Sequence, residues 1–403
     1  MKKKILVVSQ YYFPEQFRIN DICEEWVKRG YDVTVLTGIP NYPEGAFFEG
    51  YGIFSKRKEI HNGVNIKRLP LIPRKKSSVF LALNYLSFMI SGYFWAIFTR
   101  EKFDEVFIYE VSPMTQAISG VKYAKKHKIN SIIYVMDLWP ENFVEMSGIK
   151  NKFIIKSITS MVKYIYRNVS RIFISSPGFK EKITNLGNFE EKIEYWPQYA
   201  EDFYMPTDEK SENIQFDLNN FNITFAGNIG YAQGLEILPS VAEQLSNRKI
   251  KAHFNIIGNG RFKEELIKEV ENKNIEEYFS FYEPVVATEI PKIMNMTDVA
   301  LVSLSRNPLF SLTIPAKVQS ILATGTPILV SADGVLEMIV NDSKAGLFSR
   351  AGDIDGLVRN IELMTKYSKK ELLKLKENAQ EYSENEFSKE KLLKIIDNYW
   401  EEK

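Results

Sequence analysis

Cysteine and histidine are scarce in this chain. Its 403 residues include a single cysteine, Cys23, so an internal disulfide is excluded. A metal site built from histidine and cysteine needs several such side chains within reach of one ion. The sequence predicts no bound metal, because its histidines are few and widely spaced: His61, His127 and His253.

The chain also lacks a charge imbalance and an export signal. Lys and Arg number 52 and Asp and Glu number 51, so the composition predicts no nucleic-acid partner. Three lysines precede the first apolar run, residues 5–8, but this run is too short for a signal peptide. We therefore expect a cytoplasmic protein.

What the sequence does have is a repeated alternation of apolar strands and amphipathic helices. A chain of 403 residues is too long for one ordinary core, so two domains are expected. A strand at residues 5–8, a helix and a strand at 32–37 open the first domain, and the alternation restarts at Phe221. The predicted fold class is α/β, with two doubly wound Rossmann-like domains. We place them at residues 1–200 and 201–385, followed by a C-terminal helix at 386–403.

The most informative stretch covers residues 221–238, FNITFAGNIGYAQGLEIL. An apolar strand leads through Gly227, Asn228 and Gly230, past Gln233, into an amphipathic helix. Glycines let a backbone approach a ligand closely, and the N–H groups at a helix N-terminus attract phosphate. The turn is a candidate phosphate site; alternatively, its glycines only supply the positive φ that such turns require.

Residues 79–98 form an apolar segment without a single charge. Basic residues flank it at 74–76, 100 and 102. A membrane-spanning helix, a core helix and a helix on the membrane surface all fit this length and composition. The basic flanks and the aromatic content favour contact with an anionic membrane face.

Two carboxylates, Asp137 and Glu141, follow a strand predicted at residues 131–137. At the strand ends of an open α/β sheet such side chains face the ligand crevice, so both are candidates for acid/base or hydroxyl-positioning work. Alternatively, they cap the next helix. The loop at residues 38–52, rich in proline, glycine and aromatics, is either a substrate loop or a packed surface loop. The first turn, YYFPEQFR, lacks the dinucleotide-binding glycines, which argues against a nicotinamide or flavin enzyme.

Several pieces of the sequence occur together in an order that resembles a known family. They are KKKILVVSQYYFPE with RGYDVTVLTG, then NYPEG, YVMDLWPE, GNIGYAQGLEIL, IIGNGRFKEEL, DVALVSL and IPAKVQSILATGTPIL. Together they resemble the glycosyltransferases of family 4, which have the GT-B fold. Within that family they are most similar to the capsule and O-antigen transferases of the N-acetyl-L-fucosamine transferase group. The resemblance spans nearly the whole chain.

The resemblance implies two domains facing across a cleft, with the last helix crossing back to the first domain. It also implies a hexosyltransferase-type enzyme that needs no metal or other cofactor. Such an enzyme would move a sugar, with retention of configuration, from a UDP-sugar to a polyprenyl-diphosphate-linked saccharide. The expected donor sugar is an N-acetylated deoxyhexosamine, and the pathway is capsule, O-antigen or lipopolysaccharide synthesis on the inner face of the cell membrane. Asp353 and Asp355 match the metal-binding Asp-x-Asp of another transferase fold, but their position predicts a helix cap.

Carried over residue by residue, the family's phosphate-binding Arg and Lys fall on Asn228 and Gln233. Neither is cationic, so backbone N–H groups at residues 227–230 and 313–315, the helix dipole and another cation must hold the diphosphate. We assign the cation to Lys317; the alternative is a solvated helix lysine. In the second backbone segment, Thr313 and Pro315 are expected to bind the donor.

The family's pair of glutamates, eight residues apart, falls on Leu312 and Ser320. The Ser320 hydroxyl is assigned to a ribose hydroxyl, for which it is a weaker acceptor than a carboxylate. The resemblance also assigns Tyr282 and Val285 to the base pocket. Gly258 and Gly260 are assigned to a close approach between backbone and donor.

In the first domain the family often has a histidine close to Asp137, where this chain has Met136. Asp137 is therefore expected to position the acceptor hydroxyl or to steady positive charge at the anomeric carbon, with Glu141 beside it. Four residues of the first turn and of the loop at 38–52 are assigned to the acceptor: Glu15, Arg18, Asn41 and Tyr42.

Two other functions stay open. One is a sugar-nucleotide 2-epimerase of the same fold, which acts without a lipid acceptor; the missing histidines and the apolar helix argue against it. The other is a non-catalytic partner that binds a nucleotide sugar or lipid, which the loss of both glutamates makes conceivable.

Overall fold

The computed structural model describes residues 2–217 and 219–401. The chain divides into two compact units, one ending at Trp196 and the other beginning at Pro197. The boundary predicted from the sequence follows residue 200. Residues 1, 218, 402 and 403 of the predicted domain ranges lie outside the described residues.

Unit 1 is built on an eight-stranded sheet in the order β3-β4-β2-β1-β5-β6-β7-β8. Neighbouring strands are parallel except for β3, which runs antiparallel to β4. The central strands are unbroken apolar runs, as expected where helices cover both faces of a parallel sheet. The strands are β1 (Lys4–Val8), β2 (Asp32–Gly38), β3 (Lys58–His61), β4 (Val64–Leu69), β5 (Glu105–Glu110), β6 (Asn130–Val135), β7 (Arg171–Ile174) and β8 (Ile193–Tyr195).

In unit 1 the order of the strands in the sheet changes direction next to β1. The chain passes from β1 to β2 on one side and later to β5 on the other, so the order reverses between β1 and β5. Ligands of doubly wound sheets bind at such a reversal, outside the carboxyl ends of the strands. The helices are α1 (Arg18–Lys28), α2 (Ser78–Phe98), α3 (Ala117–His127), α4 (Glu141–Ser147), α5 (Lys152–Asn168) and α6 (Phe179–Thr184).

The apolar segment forms helix α2, which packs against α3 along one narrow stripe. Its buried residues recur at every fourth position: Asn84, Phe88, Gly92 and Ala96. A Cβ at Gly92 would meet the side chain of Ser119 on α3 at 2.7 Å, so glycine permits the close approach of the two helices. The remaining faces of α2 stay largely outside the core.

Unit 2 is built on a six-stranded parallel sheet in the order β11-β10-β9-β12-β13-β14, which reverses between β9 and β12. The strands are β9 (Phe221–Ala226), β10 (Ala252–Ile257), β11 (Phe279–Tyr282), β12 (Val299–Ser303), β13 (Ile328–Ser331) and β14 (Gly346–Ser349). The helices are α7 (Leu238–Asn247), α8 (Lys263–Asn272), α9 (Ile290–Asn295), α10 (Ala316–Ala323), α11 (Val335–Ser343), α12 (Ile354–Met364), α13 (Lys369–Glu386) and α14 (Lys389–Glu401).

Asp353 is the N-cap of α12, where its side chain accepts the N–H of Gly356 at 2.9 Å. The prediction that this aspartate caps a helix is confirmed. Asp355 lies in the first turn of the same helix, where a carboxylate is favoured by the helix dipole.

Candidate functional site

The first glycine turn of unit 2 follows β9, and one lysine lies against it. Gly227 has a φ of +143°, a backbone conformation that favours glycine. A Cβ at this position would lie 3.2 Å from Nζ of Lys317. The same Nζ donates a hydrogen bond to Oε1 of Gln233 at 3.0 Å. The structure thus brings Lys317 to two predicted donor residues, Gly227 and Gln233, that are more than 80 positions away in the chain.

Lys317 is not the solvated helix lysine of the alternative interpretation. It is partly buried in the first turn of α10, and its Nζ lies 4.0 Å from the centroid of the Phe225 ring. Burial lowers the pKa of Lys317 to about 8, because removal from water disfavours the charged form. An anion at the turn would stabilise the charged form of Lys317. The buried amino group is therefore suited to binding a phosphate.

Only part of the turn backbone is available to a ligand. The N–H of Gly227 donates to the carbonyl of Ile257, and the N–H of Ile229 donates to the carbonyl of Asn259. Within the described residues, the N–H groups of Asn228 and Gly230 make no hydrogen bond. The predicted contribution of residues 227–230 to phosphate binding therefore reduces to these two groups.

The second glycine turn packs directly on the first. A Cβ at Gly258 would overlap the carbonyl oxygen of Gly227, and a Cβ at Gly260 would overlap that of Ile229. Phe262 also donates its N–H to the carbonyl of Ile229 at 3.0 Å. The contact between the two turns thus requires glycine at 258 and 260, whether or not these residues approach a donor.

Helix α7 does not begin directly after the first glycine turn. Two short 3₁₀ segments, Tyr231–Gln233 and Leu235–Ile237, come before α7. They are separated by Gly234, whose φ of +62° interrupts the helical path. The N-terminus of α7 is therefore displaced along the chain from Gly227.

Helix α10 presents its N-terminus on the other side of the sheet reversal. Thr313 uses its N–H and its hydroxyl to bond the carbonyl of Phe310, and Pro315 has no N–H. Among the described residues, the N–H groups of Ala316 and Lys317 at the start of α10 make no hydrogen bond, whereas that of Val318 donates to the carbonyl of Pro315 at 2.9 Å. Lys317 belongs to the same turn.

The two positions of the family glutamates carry no charge and lie close to α10. Ser320 is buried in α10, and its hydroxyl bonds the carbonyl of Ala316 at 3.4 Å. Leu312 ends a 3₁₀ turn, Phe310–Leu312, just before the helix. The assignment of Ser320 to a ribose hydroxyl stays a prediction, since its hydroxyl donates to its own helix and keeps its lone pairs as acceptors.

Tyr282 and Val285 lie at the carboxyl end of β11. The carbonyl of Tyr282 accepts the N–H of Gly258, and its hydroxyl bonds the carbonyl of Gln215 at 2.9 Å. Val285 is partly buried and packs against the cluster of Ile214, Ile257 and Ile293. These contacts connect the predicted base loop to the second glycine turn.

A groove of about 330 Å³ in unit 2 lies away from these turns. Its lining includes Thr324, Gly325 and Thr326, which precede β13, and Gln380 of α13. It therefore lies at the amino end of the strands, whereas the predicted donor residues follow their carboxyl ends.

Asp137 lies at the carboxyl edge of the unit 1 sheet. Its Oδ2 accepts the N–H of Ser112 at 2.7 Å, and the Ser112 hydroxyl in turn accepts the indole N–H of Trp139 at 3.1 Å. Asp137 does not cap α4, because the N-cap position is Pro140 and no side chain caps that helix. Glu141 is the first residue of α4.

The four predicted acceptor residues divide into two kinds. Glu15 and Asn41 are buried, and Oε1 of Glu15 accepts the N–H groups of Asn41 and Tyr42 at 2.8 and 2.7 Å. Burial raises the pKa of Glu15 to about 7, although these two N–H groups oppose the shift. Tyr42 is exposed at the loop surface and packs against Tyr11. Glu15 and Asn41 thus stabilise the loop at residues 38–52, while the Tyr42 side chain is exposed at its surface.

Arg18 begins α1 and acts on the same edge of the sheet. The pKa of Tyr109 is raised, mainly by burial; Arg18 opposes this shift, whereas Asp137 adds to it. Both charges therefore act on one tyrosine at the end of β5.

Sequence reasoning missed one carboxyl group at this edge. Glu110 ends β5, is fully buried, and accepts the N–H of Asp137 at its Oε2 (3.4 Å). The signal was present, because the strand at 105–110 ends on a carboxylate in the same way as the strand before Asp137 does. Among the described residues, no group of three or more His, Cys, Asp or Glu side chains is arranged to hold a metal ion.

Helix α2 carries a long apolar face outside the core. By length and composition it could cross a membrane, and 22% of its apolar stretch is buried in the structure. Such helices also occur in the cores of soluble proteins, so length and composition alone are weak evidence. Its exposed apolar residues follow a helical stripe: Val79, Leu83, Leu86, Ile90, Tyr93, Phe94 and Phe98.

Known proteins with the same fold cover the entire chain. Sucrose-phosphate synthase from Thermosynechococcus elongatus superposes with a TM-score of 0.76 at 14% identity, covering 100% of this chain and 99% of the other. Anabaena Alr3699/HepE in complex with UDP gives 0.70 at 12% identity, with 100% of both chains covered. WaaG, described as a glycosyltransferase involved in lipopolysaccharide biosynthesis, gives 0.63 at 10% identity, with 99% of both chains covered. No curated protein sequence matches the chain.

Two sequence families match consecutive parts of the chain. Residues 16–198 match the family described as Glycosyl transferase 4-like domain. Residues 206–382 match the family described as Glycosyl transferases group 1. Two glycosyltransferase family models thus match consecutive parts of the chain, and the chain has the GT-B fold.

Proposed function

We propose that the chain is a retaining glycosyltransferase that moves a sugar from a UDP-sugar to a polyprenyl-diphosphate-linked saccharide. The observation that carries this proposal is the amino group of Lys317 beside Gly227 and Gln233, at the turn where a diphosphate would bind. The complex of HepE with UDP, on the same fold, supports UDP as the nucleotide. An N-acetylated deoxyhexosamine donor and a role in capsule or O-antigen synthesis rest on the order of motifs in the sequence.

The proposed reaction needs a cation for the leaving group and an orienting group for the acceptor. The acceptor oxygen bonds to the anomeric carbon as the bond from that carbon to the UDP phosphate breaks, on the same face of the sugar. The leaving phosphate takes the proton of the acceptor hydroxyl, so no strong protein base is required. Lys317 stabilises the diphosphate charge, and Asp137 orients the hydroxyl and stabilises positive charge on the sugar. No metal ion is assigned to the reaction.

The testing experiment measures UDP release from a panel of UDP-sugars with a polyprenyl-diphosphate monosaccharide as acceptor, with and without EDTA. We expect acceptor-dependent release that EDTA does not change. Asp137→Asn should lower turnover roughly 100-fold with little change in donor KM, because an orienting group acts on the reacting complex. Asp32→Asn is the matched control, since Asp32 lies at the opposite end of its strand.

Two outcomes would favour the other functions. Donor binding without UDP release for every acceptor would favour the non-catalytic partner, for which the neutral Leu312 and Ser320 are the supporting observation. Conversion of the donor to its 2-epimer without acceptor would favour the epimerase.

We further propose that unit 1 attaches to the anionic inner face of the cell membrane through α2. The exposed apolar stripe of α2 gives the surface, and the basic residues at 74–76, 100 and 102 flank it at both ends. Such a stripe binds a bilayer surface through apolar burial and attraction to anionic lipid. This attachment would bring the protein to a lipid-linked acceptor.

A further inference from the structure

Glu110 is a buried carboxyl in contact with Asp137. It ends β5 with no exposed surface. Its Oε2 accepts the N–H of Asp137 at 3.4 Å, and its backbone carbonyl accepts the N–H of Met136 at 2.8 Å. Glu110 therefore holds the backbone of the segment that carries Asp137.

The second oxygen of Glu110 has no hydrogen-bond partner among the described residues. Within residues 2–217 and 219–401, Oε1 makes no hydrogen bond and no cation forms an ion pair with the carboxylate. The buried hydroxyl of Tyr166 on α5 also lacks a partner. A buried charge without a cation is costly, whereas a protonated carboxyl can donate from one oxygen and accept at the other.

The titratable groups around Glu110 favour its neutral form. Burial raises the pKa of Glu110 well above its usual range, and the nearby charge of Asp137 raises it further. Tyr109 on the same strand and Tyr166 of α5 also interact with Glu110, and the pKa of each is raised mainly by burial. The described residues around Glu110 thus supply carboxyl and phenol groups.

We propose that Glu110 is a positioning residue: its protonated carboxyl fixes the backbone of Asp137 and leaves Asp137 as the ionised carboxylate that meets the acceptor hydroxyl. Ionisation of Glu110 would place a second negative charge beside Asp137 in a buried setting, which would disturb both its charge and its position. This inference rests on the proposed transferase function.

The first experiment compares kcat across pH at saturating donor for the wild type, Glu110→Gln and Glu110→Met. Glutamine keeps an acceptor for the Asp137 N–H and cannot ionise. We expect it to match wild-type kcat within about twofold at pH 7 and to lose less turnover than the wild type as pH rises, since the loss of the Lys317 proton above about pH 8 affects both proteins alike. Methionine fills the space without an acceptor, and should lower kcat about tenfold at unchanged donor KM.

Two results would overturn the inference. If Glu110→Gln is as inactive as Asp137→Asn, the charge of Glu110 takes part in the reaction directly. If Glu110→Gln and Glu110→Met both follow the wild-type rate and pH profile, Glu110 does not position Asp137.

A second measurement separates this inference from the proposed function. Folded Glu110 keeps a proton that the unfolded chain has already lost at neutral pH, so wild-type stability should fall as pH rises. We expect the melting temperature of the wild type to drop relative to Glu110→Gln by roughly 3 °C or more between pH 6 and 9. If this difference is present but no UDP-sugar is turned over, the transferase function fails and the neutral Glu110 stands. If turnover is present but the melting curves stay parallel, the neutral Glu110 is refuted.

Discussion

The carboxyl edges of the two sheets carry opposite chemistry. In unit 1 three carboxyl groups, Glu15, Glu110 and Asp137, follow the ends of strands or lie in the first turn. In unit 2 the corresponding edge is mostly glycine backbone, with Lys317 as the cation at the first turn. Two sheets with the same kind of topology thus carry mainly carboxyl groups, with Arg18 beside them, at one edge and a lysine at the other, so the fold itself does not set the charge of its ligand.

The comparison also shows what burial does to charges of either sign. Burial raises the pKa of Glu15 to about 7 and lowers the pKa of Lys317 to about 8. Both shifts favour the neutral form, because both groups have lost contact with water. Each edge therefore holds a group that changes charge close to neutral pH.

The largest expected effect comes from breaking the backbone contact that distinguishes the unit 2 edge. Gly258→Ala would force its Cβ into the carbonyl of Gly227 and should destabilise the protein by on the order of 3 kcal/mol. Gly352→Ala is the matched control, since Gly352 has a φ of +75° but an open environment, and about 1 kcal/mol is expected from the backbone conformation alone. Calorimetric unfolding of both variants tests this; equal losses would mean that the contact between the turns does not matter.

The next effect tests the basic character of the unit 2 edge. Lys317→Ala should weaken UDP binding about 30-fold, the effect of losing a charged hydrogen bond of about 2 kcal/mol. In the wild type, UDP affinity should fall as pH rises above about 8, because Lys317 then loses its proton, and the alanine variant should lack this dependence. Titration calorimetry gives both results, with Lys268→Ala on the exposed side of α8 as the control. If Lys317→Ala binds UDP as tightly as the wild type does, Lys317 takes no part in UDP binding.

A smaller effect concerns the acidic edge. The pKa of Glu15 is raised, so between pH 4.5 and 7 the folded protein holds a proton that the unfolded chain has lost, and stability should decrease as pH rises through this window. Above about pH 7 this dependence ends. Glu15→Gln keeps an acceptor for the N–H groups of Asn41 and Tyr42 but cannot ionise. It should therefore abolish this pH-dependent change in the free energy of unfolding, which is on the order of 2 kcal/mol. Thermal melts at pH 5 and pH 7.5 test this, and identical pH dependence in both proteins would contradict it.

The smallest effect separates the surface of unit 1 from that of unit 2. Lys76→Gln should weaken binding to vesicles that contain phosphatidylglycerol about fivefold, which corresponds to about 1 kcal/mol for one lysine near an anionic surface. Lys268→Gln in unit 2 should bind as the wild type does. Vesicle sedimentation at low and high salt tests this; equal weakening by both substitutions would indicate an attraction without a preferred face.

Most of the strands could be predicted, because buried parallel strands are short apolar runs bounded by turns. The strands predicted at 5–8 and 32–37 each differ by one residue from β1 and β2. The β3–β4 hairpin was missed although its turn contains Asn62 and Gly63, both with positive φ, a strong hairpin signal. Helix α13 was also missed, although Ser368 and Glu371 form a capping box at its start.

The candidate site was harder to predict, because its contacts join distant parts of the chain. The sequence indicated a lysine near a helix start, but only the fold brings Lys317 to Gln233. In the same way, the sequence does not show that the glycines at 258 and 260 are required by the first turn. Burial decides the roles of Glu15 and Asn41, and a loop rich in aromatics does not reveal which polar side chains face inward.

The single cysteine has a practical consequence for all of these measurements. Cys23 lies in α1 with no exposed surface, so its thiol is shielded from reagents while the protein is folded. A cysteine introduced at one exposed position would therefore be the only thiol that a maleimide dye modifies readily. The natural sequence thus serves as its own background for single-site fluorescent labelling in either unit.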